Sequence, residues 1–120
     1  MLLCGSVPRV YRGYVLPPFI ELIGGSGAAY RFRNIESGLS PAGGNFVYLR
    51  EVEGKLSVVC CGKARSLGEV ALNREWYKDE QSQPTDKMFL RLNAVGKLRD
   101  AEHEDLLEGL PRPFVIYEFI

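Results

Sequence analysis

The stretch between residues 45 and 61 constrains the fold more than any other part of this 120-residue chain. Two runs rich in β-branched and aromatic residues, 45–51 and 56–61, flank a turn at Glu53 and Gly54. Glycine tolerates the positive φ values that a tight turn requires, so the pattern predicts a β-hairpin. The second run is almost wholly apolar, which is typical of a central strand covered on both faces.

A second hairpin pattern precedes this one. Residues 19–23 and 29–33 flank a glycine-rich turn, and the return strand alternates two aromatic residues with Arg31 and Arg33. Strict alternation indicates a strand with one buried face, so the aromatic side chains and the arginines are expected on opposite faces. The preceding residues 1–16 are mixed in character and predict partly irregular structure.

The rest of the chain predicts two helices and two more strands. Ser66 stands three residues before Glu69, a capping-box pattern that predicts a helix from there to about Lys78. A polar loop at residues 79–86 and a strand at 88–92 follow. After Gly96 come a second helix at 98–110 and a terminal strand at 114–120 that is tied to the sheet.

These elements predict a single α+β domain in which one small antiparallel sheet packs against helices. Residues 1–43 are expected to form an N-terminal extension that carries the first hairpin. Residues 44–113 are expected to form the core, and residues 114–120 a C-terminal strand.

Composition limits the classes of function. The 15 basic residues balance the 15 acidic ones, so no global field attracts the chain to nucleic acid or anionic lipid. No apolar run is long enough to cross a bilayer, and the first residues lack the basic region and long apolar stretch of a signal peptide. Three cysteines, two of them adjacent, do not form a disulfide framework. We therefore expect a cytoplasmic protein without a membrane partner.

Three short motifs lie in the same order as motifs of the GIY-YIG nuclease domain. The Gly-Asn-Phe at 44–46 resembles the family's Gly-x-Tyr element at the start of a strand. The Cys-Cys-Gly at 60–62 resembles its Tyr-x-Gly element, which runs into a capped helix. The Asp-Leu pair at 105–106 resembles a pair in the late helix of one family branch. The resemblance covers residues 44–113 and implies a β-β-α-β-α core, and the first hairpin resembles an extension in some bacterial members.

The resemblance also implies which residues to compare with the family's catalytic groups. There, two tyrosines, an arginine of the first helix and a metal-binding glutamate surround the scissile phosphate, activate water and stabilise the transition state. The corresponding positions are here, in chain order, Phe46, Cys60, Val70 and His103. None carries the family's functional group, so the resemblance implies lost catalysis and no cofactor. If Glu102 or Glu104 turned inward instead, a metal ligand would survive. A divalent metal is expected only if nuclease activity survives.

His103 is the only histidine, and on a helix it shares a face with Leu106, Leu107 and Leu110. It is therefore expected to face the sheet or its edge. One interpretation is a remodelled acid–base or metal group near Cys60. The interpretation that we favour is a partly buried histidine with one hydrogen-bond partner. Cys60 and the adjacent Cys61 point to opposite faces of a strand and cannot both bind one ion, so no metal site is predicted.

Basic residues form a candidate phosphate-binding patch. Lys63 and Arg65 are expected in the turn before the first helix, whose N-terminus favours anions, with Arg31 and Arg33 nearby. Tyr48 and Trp76 are candidates for stacking on bases if their rings are exposed. The alternative interpretation is a solvated surface whose charges are compensated by neighbouring acidic residues.

The sequence therefore predicts a catalytically inactive GIY-YIG-like domain that binds nucleic acid through a local basic patch, or binds a protein. One alternative is a protein-interaction or self-associating domain with no nucleic-acid role, in which edge strands of the N-terminal hairpin or residues 114–120 pair with a partner or a second copy. The other is a remodelled metal-dependent nuclease that uses His103 with Glu102 or Glu104.

Overall fold

The computed structural model describes residues 17–35, 42–72 and 87–119, without the side chains of residues 52, 71, 72 and 119. The expectations for residues 1–16, for the first helix beyond Leu72, for Trp76 and for the polar loop 79–86 lie outside these residues.

Six strands and two helices make up the described part of the chain. In chain order they are β1 (Phe19–Ile23), β2 (Ala29–Asn34), β3 (Gly44–Val52), β4 (Lys55–Ala64), α1 (Leu67–Leu72), β5 (Lys87–Leu92), α2 (Gly96–Gly109) and β6 (Val115–Phe119). The mixed α+β class is confirmed, as are both hairpins and the terminal strand. In the turn of the β3–β4 hairpin, Glu53 and Gly54 adopt φ values of 53° and 81°.

All six strands belong to one sheet, in the order β1-β2-β5-β3-β4-β6. Neighbouring strands are antiparallel except for β4 and β6, which run parallel. The expectation of a purely antiparallel sheet is therefore wrong at this edge. A parallel neighbour needs a long crossover connection, and the chain between β4 and β6, which includes α2, provides it.

Two predicted boundaries differ from the structure. β4 continues to Ala64, so Lys63 lies on a strand and not in a turn. Lys63 pairs with Asn45 of β3 on one side of β4 and with Glu118 of β6 on the other side. These long-range ladders extend the strand beyond its apolar run. α2 begins at Gly96 itself, because the backbone N–H of Arg99 donates to the Val95 carbonyl at 2.9 Å.

Both faces of the sheet are covered. On the α2 face, Leu106 of the helix and Leu110, just after its last residue, belong to one buried cluster with Val47, Cys61 and Phe89 of the sheet. A second cluster fills the α1 face and contains Phe46, Tyr48, Cys60, Ala64, Leu67, Val70, Met88 and Leu90. Cys60 and Cys61 therefore point to opposite faces, as predicted. Burial of each large apolar side chain contributes about 1.5–3 kcal/mol to the driving force for folding.

The start of α1 shows half of the predicted capping box. The backbone N–H of Glu69 donates to Ser66 Oγ at 3.4 Å, and the N–H of Leu67 donates to the Ala42 carbonyl at 3.0 Å. These bonds satisfy two of the donors that a helix start leaves free. The cap directs Leu67 and Val70 onto the sheet.

Asp105 joins α2 to the β1–β2 hairpin. Its carboxylate accepts hydrogen bonds from the Ser26 N–H at 2.8 Å, Ser26 Oγ at 2.6 Å and the Tyr30 hydroxyl at 2.7 Å. The bonds from Ser26 and Tyr30 hold the pKa of Asp105 below its ordinary value. The same Tyr30–Asp105 bond, helped by burial, raises the pKa of Tyr30. The helix therefore fixes the hairpin through a charge-assisted network.

This network predicts a pH dependence of stability at both extremes. A lowered carboxyl pKa contributes stability above the unfolded value of about 3.9, and this is lost as the pH falls through the folded pKa. A raised tyrosine pKa contributes stability below the unfolded value of about 10, and this is lost as the pH rises through the folded pKa. In urea unfolding, Asp105→Asn is expected to have a lower free energy of unfolding than the wild type at neutral pH. This difference should shrink at low pH and at high pH. Tyr30→Phe should remove the alkaline limb and also weaken the acid limb in part, because the Tyr30 hydroxyl is one of the groups that lower the pKa of Asp105. Equal pH profiles for all three proteins would contradict the network.

Candidate functional site

The four motif-equivalent residues fall into two groups on opposite faces of the sheet. Phe46 and Cys60 have no exposed surface and Val70 is 5% exposed, all within the apolar cluster of the α1 face. His103 projects from α2 toward Glu118 of β6, on the α2 face. The structure thus brings three of these residues together and separates the fourth.

Strand register explains how the first three residues meet. Tyr48 lies opposite Cys60, and Phe46 lies opposite Gly62, and residues in such cross-strand pairs share a face. A Cβ atom at Gly62 would collide with the Phe46 ring and would lie 2.7 Å from the Tyr117 carbonyl oxygen. The glycine therefore leaves the space that the Phe46 ring fills. This part of the α1 face is a packed core.

His103 is wholly buried, and its Nε2 atom lies 2.9 Å from Glu118 Oε2. The favoured prediction of a histidine with one hydrogen-bond partner is confirmed, although burial is complete and not partial. The alternative position near Cys60 is wrong. Glu118 lies opposite Lys63, whose side chain points to the face opposite that of the Cys60 side chain, so the sheet stands between the two groups.

The two neighbouring glutamates point to different places. Glu102 accepts hydrogen bonds from Arg91, at 2.6 Å from Nε and 3.4 Å from Nη2, which makes a two-pronged ion pair with β5. Glu104 is exposed and offers a carboxylate oxygen within 4.8 Å of ligand atoms of His103 and Glu118. Of the three consecutive residues 102–104, only the last two therefore approach a common point.

Glu118 is the site residue that sequence reasoning missed. It comes from the terminal strand, whose parallel pairing with β4 places it beside α2. The available signal was one acidic residue within an otherwise apolar and aromatic run at 114–120. An isolated polar residue in such a run indicates a specific partner or an exposed position, but it does not say which.

The four basic candidates do not form one patch. Lys63 donates to Asp100 at 2.9 Å on the α2 face and lowers the pKa of that carboxyl. Arg31 and Arg33 lie on the other face of β2, and the Arg31 guanidinium stacks 4.8 Å from the centre of the Phe19 ring. β2 and β4 are three interstrand spacings apart, about 14 Å. Arg65 is exposed beyond the end of β4.

Tyr48 has no exposed surface, so the prediction that it stacks on a base is wrong. Its ring packs edge-on against Phe46, with the ring centres 6.2 Å apart. The alternation within β3 places it on the same face as Phe46, where α1 and its own sheet cover it. An aromatic residue at this position therefore serves packing.

Neither described helix has the length and apolar content needed to cross a bilayer. Comparison with known proteins finds no family model, curated protein or solved structure that matches this chain.

Proposed function

We propose that this chain is a GIY-YIG-like domain that has lost phosphodiester hydrolysis and serves as a binding module. The observation that carries the proposal is the environment of the motif-equivalent positions. Phe46, Cys60 and Val70 lie in one buried apolar cluster beneath α1. The mechanism that the resemblance implies uses a hydroxyl that activates water and a cation that stabilises the phosphate, both within reach of substrate.

The position of His103 also supports lost chemistry. Catalytic groups must converge on one reacting atom within hydrogen-bond reach. His103 and its partner Glu118 lie on the α2 face, with the sheet between them and the cluster that contains Cys60. If His103 took part in catalysis on the α2 face, no tyrosine or arginine from the resembling motifs would therefore lie beside it.

The charges of the described residues support a protein partner better than a nucleic acid. Lys63 and Arg91 are engaged by Asp100 and Glu102, and the net charge of the chain is zero. Binding to a phosphate backbone relies on basic groups that are free to displace counterions. Within residues 17–35, 42–72 and 87–119, no strand pairs with the outer side of β1 or β6. Such edges suit the addition of a strand from a partner.

The absence of nuclease activity is tested with supercoiled plasmid. The full chain is expected to leave the plasmid intact in magnesium and in manganese, because its motif positions lack the required groups. The double variant Glu102→Ala/Glu104→Ala should behave identically. Nicking by the wild type that disappears in the double variant would mean that the chain is a working nuclease.

The kind of partner is tested separately. Sedimentation at increasing protein concentration, together with capture of partners from lysate, should reveal self-association or a bound protein. A purely monomeric chain that retains no partner would count against a protein-binding role. A salt-dependent shift of DNA or RNA at moderate salt would assign the binding to nucleic acid instead.

A second candidate is a remodelled metal-dependent hydrolase that uses His103 with Glu104. The closeness of their ligand atoms to each other and to Glu118 supports it. This candidate requires metal-dependent activity that His103→Ala abolishes. It ranks second because no tyrosine or arginine from the resembling motifs lies on that face beside His103.

A further inference from the structure

The junction between α2 and β6 gathers one imidazole and two carboxylates. His103, Glu104 and Glu118 each offer one ligand atom, and these atoms lie within 4.8 Å of one another. The distance from His103 Nε2 to Glu118 Oε2 is 2.9 Å. Metal–ligand bonds of about 2.0–2.2 Å to nitrogen and oxygen are reached from such a set by small side-chain rotations. Both glutamates are exposed.

The two carboxylates of this cluster are not neutralised by an ion pair with a described lysine or arginine, although Lys63 lies opposite Glu118 in the sheet. Lys63 and Arg91, on the same face of the sheet, form ion pairs with Asp100 and Glu102. No described lysine or arginine forms an ion pair with Glu104 or Glu118. Among the described residues, the side chain of Glu118 pairs with the His103 ring. Two carboxylates beside one imidazole attract a divalent cation.

The burial of His103 is an independent observation. The side chain is completely excluded from solvent, and its Nδ1 atom has no hydrogen-bond partner among the described residues. The two nitrogens of an imidazole point in different directions, so Nε2, and not this unsatisfied Nδ1, faces the carboxylates of the cluster. Burial also holds the ring in one orientation, with Nε2 directed at Glu118. A ligand fixed in this way is already organised for an incoming ion.

We propose that His103, Glu104 and Glu118 bind one divalent cation of the zinc class. An imidazole nitrogen with carboxylate oxygens suits Zn²⁺, whereas Mg²⁺ keeps to oxygen ligands and retains water. Three protein ligands leave a fourth position for water. The ion joins the helix to the terminal strand and stabilises their contact. The site does not depend on the binding function proposed above.

The test is calorimetric titration of the chelator-treated full chain with Zn²⁺, in a buffer that contains excess Mg²⁺. We expect one equivalent of zinc to bind, with affinity lowered at least about tenfold in Glu104→Gln and in Glu118→Gln. Glu108→Gln is the matched control. It removes the same charge from an exposed position one helical turn beyond Glu104 and should leave the affinity unchanged.

Thermal unfolding gives a second readout. Zinc should raise the Tm of the wild type and of Glu108→Gln, because an ion that binds only the folded state stabilises it. At the same zinc concentration it should raise the Tm of Glu118→Gln by less. All three substitutions replace exposed side chains, so the buried His103 need not be disturbed. Equal zinc affinity in all four proteins overturns the proposal, as does a wild type that binds no zinc.

Discussion

Gly109→Ala is expected to lower the free energy of unfolding by about 1–3 kcal/mol, although helix propensity alone predicts the opposite sign. Gly109 is the last residue of α2, where the helix passes over the β1–β2 turn. A Cβ atom there would lie under 3.0 Å from three backbone atoms, one each from Ile23, Gly24 and Gly25. Backbone cannot rotate away as a side chain can, so the helix and the hairpin would have to separate.

The matched control is Gly96→Ala at the other end of the same helix. A Cβ atom there meets only the end of the Arg99 side chain, at 3.6 Å, which is ordinary contact. Alanine should therefore leave stability unchanged or raise it by up to about 1 kcal/mol. Urea unfolding measures both variants. Equal effects at the two positions would mean that α2 does not rest on the hairpin as described.

Val70→Arg, which introduces the residue type that the family resemblance expects, should cost about 3–5 kcal/mol of stability and restore no activity. Val70 is 5% exposed and packs with Phe46 and Cys60 against the sheet. A guanidinium at this position would lose its hydration without a carboxylate partner from that apolar cluster. The arginine would therefore disrupt the core under α1.

Glu69→Arg is the control for this substitution. It places the same side chain one residue earlier on the same helix, at an exposed position. The expected loss is only about 0.3–1 kcal/mol, from an unfavourable charge in the first turn. Circular dichroism with urea, followed by the plasmid assay, measures stability and activity. A stable Val70→Arg protein that nicks DNA would show that the α1 face can still form a catalytic site.

Local patterns were sufficient to predict most elements. The alternation in β2 placed its aromatic residues and its arginines on opposite faces, because successive side chains of a strand point in opposite directions. Ser66 and Glu69 predicted the start of α1, because a helix start leaves backbone donors free, and the Ser66 side chain satisfies one of them. The spacing of His103 and Leu106 predicted the buried face of α2.

The candidate site was predictable only in part. His103 was predicted to be a partly buried residue with one partner, but the partner was not identified. Glu118 lies 15 residues further along the chain and reaches the ring because β6 runs parallel to β4. The prediction of one basic patch is wrong for a similar reason. Lys63 pairs with Asp100 on one face of the sheet, whereas the arginines of β2 lie on the other face.

The sequence by itself determined the class of fold, the hairpins, the first helix cap and the apolar faces of this protein. These features depend on turns, caps and periodicity, which act over a few residues. Only the tertiary structure decided the sheet order, the parallel edge strand, the separation of His103 from Cys60 and the meeting of His103 with Glu104 and Glu118. The physical reason is that strand order and register bring together residues far apart in the chain, and no local pattern encodes those pairings.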